Sequence, residues 1–92
     1  MNILSQDGKT LINYDNVASL YIQNIYRQYS QPDILWEIRA MYPAVSEDIV
    51  YDTIAQFDSE EKCKSVFKEI IYQISPLGFN LIKVSDIEGW KF

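Results

Sequence analysis

The segment between residues 57 and 76 carries the pattern that most constrains what this chain can fold into. Its apolar residues recur at intervals of three and four, which places them on one face of a helix with 3.6 residues per turn. They are Cys63, Val66, Phe67, Ile70, Ile71 and Ile74. The spacing predicts one amphipathic helix over residues 59–75, with this face packed against the rest of the protein.

The residues at both ends of this segment support the helix. Asp58 and Ser59 offer side-chain oxygens to the first free backbone N–H groups. The next two residues, Glu60 and Glu61, place negative charge at the positive end of the helix dipole. Pro76 ends the pattern, because proline cannot continue the hydrogen-bond ladder of a helix.

The rest of the chain has the alternation and the turn residues of short β-strands. The predicted strands cover residues 2–6, 9–14, 17–26, 34–42, 49–57 and 79–84. Asp7-Gly8, between the first two, predicts a hairpin with a two-residue type I′ turn. We therefore expect one α+β domain over residues 1–92, in which the helix packs across an antiparallel sheet or small, partly open barrel of five to six strands. Residues 85–92 would form an extended tail.

Alternation also assigns the faces of the two central strands. In the fourth predicted strand, three apolar residues alternate with three that we expect to face water. The buried set is Trp36, Ile38 and Ala40, and the water-facing set is Glu37, Arg39 and Met41. In the fifth predicted strand, four residues at every second position should share one face. They are Tyr51, Thr53, Ala55 and Phe57.

The formal net charge is −5, and the acidic residues are concentrated in the second half of the chain. Six carboxylates, with no basic residue among them, lie between positions 47 and 61. They are Glu47, Asp48, Asp52, Asp58, Glu60 and Glu61. Because affinity for nucleic acid and for anionic membranes depends on Lys and Arg, this balance argues against both as partners.

Catalytic and metal chemistry have little support in the sequence. The chain has no histidine, which removes the commonest general base and the commonest metal ligand. Its one cysteine, Cys63, lies on the apolar helix face beside two glutamates, so we interpret it as a structural residue rather than a nucleophile. Neither a Gly-rich phosphate loop nor the spacing of a calcium loop occurs. We predict that the protein is not an enzyme and uses no metal or cofactor.

The same features indicate a compartment. A lone cysteine forms no internal disulfide, which fits a cytoplasmic protein. The first residues lack the basic and apolar regions of a signal peptide, and no apolar run approaches the ~18 residues that span a bilayer. We therefore expect a cytoplasmic protein.

Three stretches of the chain carry a resemblance to known proteins: ILSQDGKTLINYDN at residues 3–16, WEIRA at 36–40, and FDSEEKCK followed by FKEI within 57–70. Together they resemble a group of small uncharacterised proteins from Gram-positive bacteria and their phages or mobile elements. The resemblance implies a strand–hairpin–strand start and a Ser-Glu-Glu-capped helix near the end, and it implies no activity or site. The order of elements also resembles a reduced pleckstrin-homology-type barrel closed by a C-terminal helix.

Surplus aromatic surface is the main indication of function. Seven Tyr, four Phe and two Trp are too many for so small an interior, so some should face a partner or a second copy of the chain. The candidate interface residues are Tyr26, Tyr29, Tyr72, Ile87, Trp90 and Phe92. We predict a protein–protein interaction module that self-associates as a dimer or larger oligomer.

Two alternatives stay open. The chain could be a small acidic inhibitor of phage or mobile-element origin, whose six carboxylates mimic nucleic acid towards a basic protein partner. It could also bind a small ligand in a pocket between the sheet and the helix.

Overall fold

The computed structural model describes residues 1–26, 34–43, 50–75, 78 and 80–87, and for Tyr26 and Ile34 it describes the backbone only. These residues form six strands, one α-helix and two short 3₁₀ helices. The strands are β1 (Asn2–Leu4), β2 (Leu11–Asn13), β3 (Ser19–Tyr26), β4 (Ile34–Met41), β5 (Tyr51–Phe57) and β6 (Leu81–Lys83). The helix, α1, covers Glu60–Ile74, and the 3₁₀ helices cover Tyr14–Asn16 and Val84–Asp86.

The strands form two sheets rather than the one that the sequence led us to expect. The first sheet has the order β2-β1-β6, with β1 antiparallel to β2 and parallel to β6. The second sheet has the order β3-β4-β5 and is antiparallel throughout. The 3₁₀ turn at Tyr14–Asn16, closed by the N–H of Val17 on the C=O of Tyr14, separates β2 from β3. The α+β class and six strands are confirmed, and the described residues form no closed barrel.

The first hairpin is present, but its turn is not of type I′. Only Gly8 has a positive φ (73°), whereas a type I′ turn needs positive φ at both central residues. The loop is longer: the N–H of Ser5 donates to the C=O of Thr10, and the Asp7 carboxylate accepts from the Ser5 hydroxyl at 2.6 Å and from the N–H of Lys9 at 2.9 Å. These hydrogen bonds, the one from Ser5 most of all, hold the pKa of Asp7 below its ordinary value.

The helix forms where the spacing predicts it. The Ser59 hydroxyl caps its N-terminus by accepting from the N–H of Lys62 at 3.4 Å. Three residues of the apolar stripe are fully buried: Cys63, Val66 and Ile70. Ile71, at the edge of the stripe, is 40% exposed, so the buried face is narrower than the sequence pattern. Among the described residues, no helix combines the length and the apolar character needed to cross a membrane.

Both sheets and the helix share one hydrophobic core. The first sheet contributes Ile3, Ile12 and Ile82, which lie opposite one another in register. Ile87 also belongs to this core and is only 4% exposed, so its prediction as a tail residue on the surface is wrong. The 3₁₀ helix at Val84–Asp86 turns the chain, with the N–H of Ile87 donating to the C=O of Val84, and this returns the Ile87 side chain to the interior.

Candidate functional site

The second sheet has one face towards the helix and one face away from it. The inner face carries Ile38 and Ala40, which are fully buried in the same core as the helix stripe. We use "outer face" for the residues whose side chains alternate with these. They are Ser19, Tyr21, Gln23 and Ile25 on β3, Leu35, Glu37, Arg39 and Met41 on β4, and Tyr51, Thr53 and Gln56 on β5.

Contrary to what alternation predicts, the outer face is not water-facing throughout, because a carboxylate is buried at its centre. Glu37 is 3% exposed. Its Oε1 accepts from Arg39 at Nε (2.9 Å) and at Nη2 (2.7 Å), and its Oε2 accepts from the side-chain amide of Gln56. Both carboxylate oxygens thus have partners, as a buried charge requires.

Arg39 is held from several sides. Its guanidinium carbon lies 4.1 Å from the centre of the Tyr51 ring, which is a cation–π contact. Burial acts to lower the pKa of Arg39, but hydrogen bonds to Glu37 and Tyr21 and the charge of Glu37 outweigh it and raise that pKa above its ordinary value. The guanidinium is therefore a permanently charged group in a fixed orientation.

A β-bulge brings Gln56 into this cluster. The register between β4 and β5 shifts between Ile38 and Arg39, and the consecutive residues Ile54 and Ala55 are both buried. The prediction that four alternating residues of β5 share one face is therefore wrong: Tyr51 and Phe57 lie on opposite faces. Without the extra residue, Gln56 would not stand opposite Glu37.

Tyr42, at the end of β4, takes part in a second polar contact. Its hydroxyl donates to Asp52 at 2.6 Å. Burial raises the pKa of Tyr42 to about 12, and the hydrogen bond to the Asp52 carboxylate acts in the same direction. A groove of about 480 Å³ lies beside Tyr42 and is also lined by residues 15–17 and Pro43. It therefore involves the loop after β2 and the end of β4, not the space between the sheet and the helix.

The described acidic residues do not gather into one patch. Asp52 is the second residue of β5 and Asp58 directly follows that strand, so six positions, or about 20 Å of extended chain, separate them. Asp58 pairs with Lys62 at 3.7 Å, and Glu60 pairs with Lys64 at 2.6 Å, both one helical turn apart. Glu61 is exposed. Glu47 and Asp48 lie outside the described residues.

The predicted interface residues have different outcomes. Tyr72 is 50% exposed on the outer side of the helix, as the sequence pattern indicates, while Ile87 is buried. For Tyr26 only the backbone is described, and Tyr29, Trp90 and Phe92 lie outside the described residues. Glu37, Arg39, Gln56 and Tyr51 together form what we call the outer-face cluster. Sequence reasoning missed it. The available signal was an Arg two positions after a Glu in one strand, which places both side chains on the same face.

Reactive chemistry has little to build on among the described residues. Cys63 is fully buried, and burial, with the charge of Glu60 added, raises the pKa of its thiol to about 11. No group of three or more His, Cys, Asp or Glu side chains is placed to hold a metal ion in residues 1–26, 34–43, 50–75, 78 and 80–87.

No known protein family, curated protein or solved structure matches the chain. The outer face of the second sheet is therefore a candidate site by its geometry alone.

Proposed function

We propose that this protein is a non-enzymatic protein–protein interaction module that self-associates, and that the second sheet is the element through which it binds. The observation that carries the proposal is the outer-face cluster. Arg and Tyr are the residue types that most often dominate protein interfaces, and here Arg39 lies between Tyr51 and Tyr21 on one sheet face.

The cluster favours binding because it is already ordered. An arginine that is free in solution loses rotamer freedom when it enters an interface, whereas Arg39 is fixed beforehand by two hydrogen bonds to Glu37. Tyr51 covers its guanidinium and remains 42% exposed, so it offers apolar area with a polar tip. A partner that docks here meets a rigid surface.

Exposed apolar side chains elsewhere support the same class of function. Leu11 and Leu81 stand on the outer side of the first sheet, and Tyr72 stands on the outer side of the helix. Such residues are individually ordinary on a surface, but together they leave several positions at which a second chain could remove apolar area from water. The prediction that Tyr72 contacts a partner belongs to this proposal. So does the cytoplasmic location, which is supported by the free cysteine.

The acidic inhibitor is less well supported by the geometry. A nucleic-acid mimic needs unpaired carboxylates in a continuous array, whereas Asp58 and Glu60 are each paired with a lysine and Asp52 accepts a hydrogen bond from Tyr42. A basic partner would have to displace these contacts. It remains the alternative if the chain proves to be monomeric.

Sedimentation equilibrium at micromolar concentrations tests the proposal. We expect an average mass that rises with concentration from 10.8 kDa towards twice that value. Because each copy carries a net charge of −5, added salt should strengthen the association by screening repulsion. A mass that stays at 10.8 kDa at every concentration and salt level would contradict self-association.

A further inference from the structure

The two edges of the second sheet differ in how they are covered. At the β5 edge, the N–H of Gln6 donates to the C=O of Ile54, and the N–H of Gln56 donates to the side chain of Gln6. At the opposite edge, β3 pairs only with β4 within the described part of the chain. The described residues thus leave one side of an eight-residue strand without a neighbouring strand.

The hydrogen bonds at the end of β4 show which β3 backbone groups face outwards. The C=O of Met41 accepts from Ala18 on the β3 side, and the N–H of Tyr42 donates to Val50 on the β5 side. Because successive strand residues direct their backbone groups to opposite sides, odd-numbered β4 residues face β3. Their register partners are the odd-numbered residues of β3. The N–H and C=O groups of Leu20, Ile22 and Asn24 therefore point away from the sheet.

A side-chain contact agrees with this orientation. The amide of Gln23 donates to the C=O of its neighbour Asn24 at 3.0 Å. Gln23 thereby supplies a donor to a carbonyl that the β4 ladder does not use. The contact is local and solvent-exposed, so an incoming strand can replace it at little cost.

The edge also lacks the features that normally prevent pairing. Natural edge strands are protected by charged residues, proline or bulges, and β3 has none of these. Residues 16–26 contain no charged side chain in a protein of net charge −5. Two copies that meet along β3 therefore bring no charges into direct opposition on that strand, as a more acidic surface would.

We propose that β3 pairs with β3 of a second copy, antiparallel about a two-fold axis, which joins the two second sheets into one six-stranded sheet. The inference rests on the proposed self-association and names its surface. A two-fold axis at Gln23 brings the outward backbone N–H and C=O of Ile22 in one copy opposite those of Asn24 in the other, where they can form hydrogen bonds. On the outer face, the axis places Tyr21 of each copy beside Ile25 of the other. Cross-strand pairs of an aromatic and a β-branched residue are favourable.

The first test removes one outward N–H. Asn24→Pro deletes the donor that the second copy needs while the bonds from β3 to β4 stay intact, since proline is tolerated where the N–H of an edge strand faces solvent. Asn24→Ala is the matched control, because it removes the same side chain and keeps the N–H. In sedimentation equilibrium we expect Asn24→Pro to raise the dissociation constant of the dimer by about tenfold or more, because the two-fold axis repeats the lost hydrogen bond. The dissociation constant of Asn24→Ala should stay near that of the wild type.

A second pair of variants decides the matter if Asn24→Pro fails to fold. Gln23→Lys places two like charges opposite each other at the axis and should abolish the dimer at micromolar concentration. Ser65→Lys makes the same change of charge at an exposed position of the helix and should leave the dimer intact. A wild-type protein that is monomeric removes the proposed function and this inference together. A dimer that survives both Gln23→Lys and a folded Asn24→Pro overturns this inference alone and leaves self-association standing.

Discussion

Each face of β4 carries a residue that is almost fully buried, but that burial is stabilised by different means. On the inner face, Ile38 and Ala40 are covered by apolar side chains from the helix and the first sheet. On the outer face, Glu37 is almost as inaccessible: Arg39 pairs with its charge, and the side-chain amide of Gln56 donates a hydrogen bond to it. The inner face is stabilised by removal of apolar area from water, and the outer face by hydrogen bonds to both oxygens of the buried carboxylate.

The titratable groups show the same difference. Cys63, in the core, and Tyr42, packed against it, have pKa values raised to about 11 and about 12, in each case chiefly by burial. For Arg39, burial acts against the charged form, but the partner carboxylate reverses the net direction. At Cys63 and Tyr42 burial therefore favours the neutral form, whereas the outer face holds a charge that is paired in advance. Four substitutions or titrations test this difference, beginning with the largest expected effect.

Arg39→Met should be the most damaging single change on the outer face. It leaves the Glu37 carboxylate buried without its main partner, and breaking a buried ion pair costs about 3–5 kcal/mol of unfolding free energy. Urea denaturation monitored by circular dichroism measures the loss. Arg39→Lys keeps the charge and should cost less, and replacing both Glu37 and Arg39 by Leu should recover much of the stability. A cost below about 0.5 kcal/mol for Arg39→Met would show that Glu37 does not depend on the pair.

Ile38→Ala tests the inner face of the same strand. Removal of a fully buried isoleucine leaves a cavity below the helix and should cost about 2–5 kcal/mol of unfolding free energy. The same urea experiment measures it, with Leu11→Ala as the control, because Leu11 is 60% exposed and its truncation should be nearly neutral. Equal losses in the two variants would argue against the packing described for the core.

Alkaline pH should destabilise the protein by ionising the buried thiol of Cys63. Cys63 ionises at its ordinary value of 9.0 when unfolded and at about 11 when folded, so its contribution to stability is complete below pH 9.0 and is lost as the pH rises through about 11. Urea midpoints across this interval should fall, and Cys63→Ala should flatten the fall. An introduced thiol, Ser65→Cys, gives an exposed comparison on the helix for reaction with a thiol reagent. Rapid modification of native Cys63 near neutral pH would contradict the burial argument.

Tyr51→Leu should have the smallest effect. It removes the ring that lies over Arg39 but leaves both hydrogen bonds to Glu37, so the loss should be about 0.5–1 kcal/mol of unfolding free energy. Tyr51→Phe keeps the ring and should stay close to the wild type. A loss as large as that of Arg39→Met would mean that the ring, rather than the carboxylate, holds the guanidinium in place.

The sequence predicts the elements of this fold better than their environments. The spacing of Cys63, Val66 and Ile70 predicts the helix, because burial of one face imposes a period that can be counted. Alternation also places Glu37 and Arg39 correctly on one face. It does not predict that Glu37 is buried on this face, since that depends on Gln56, whose position requires a bulge with no local signature.

Long-range contacts explain the other differences. The parallel pairing of β1 with β6 joins residues about eighty positions apart, and no local pattern specifies it. Ile87 follows the last predicted strand, so it resembled a tail residue, but a single 3₁₀ turn returns it to the core. The sequence also does not predict that β3 is an edge strand, because the position of a strand in its sheet depends on the sheet order and not on composition.

Amide hydrogen exchange at low and high protein concentration tests the central claim, that the protein binds itself through the second sheet, most directly. The amides of Leu20, Ile22 and Asn24 should exchange fast in dilute protein and become protected at high concentration, because β4 is their strand's only partner among the described residues and a second copy would accept their hydrogen bonds. Those of Tyr21 and Gln23, which face β4, should be protected at both concentrations. Fast exchange of the three outward amides at a concentration where the protein is dimeric would contradict the account.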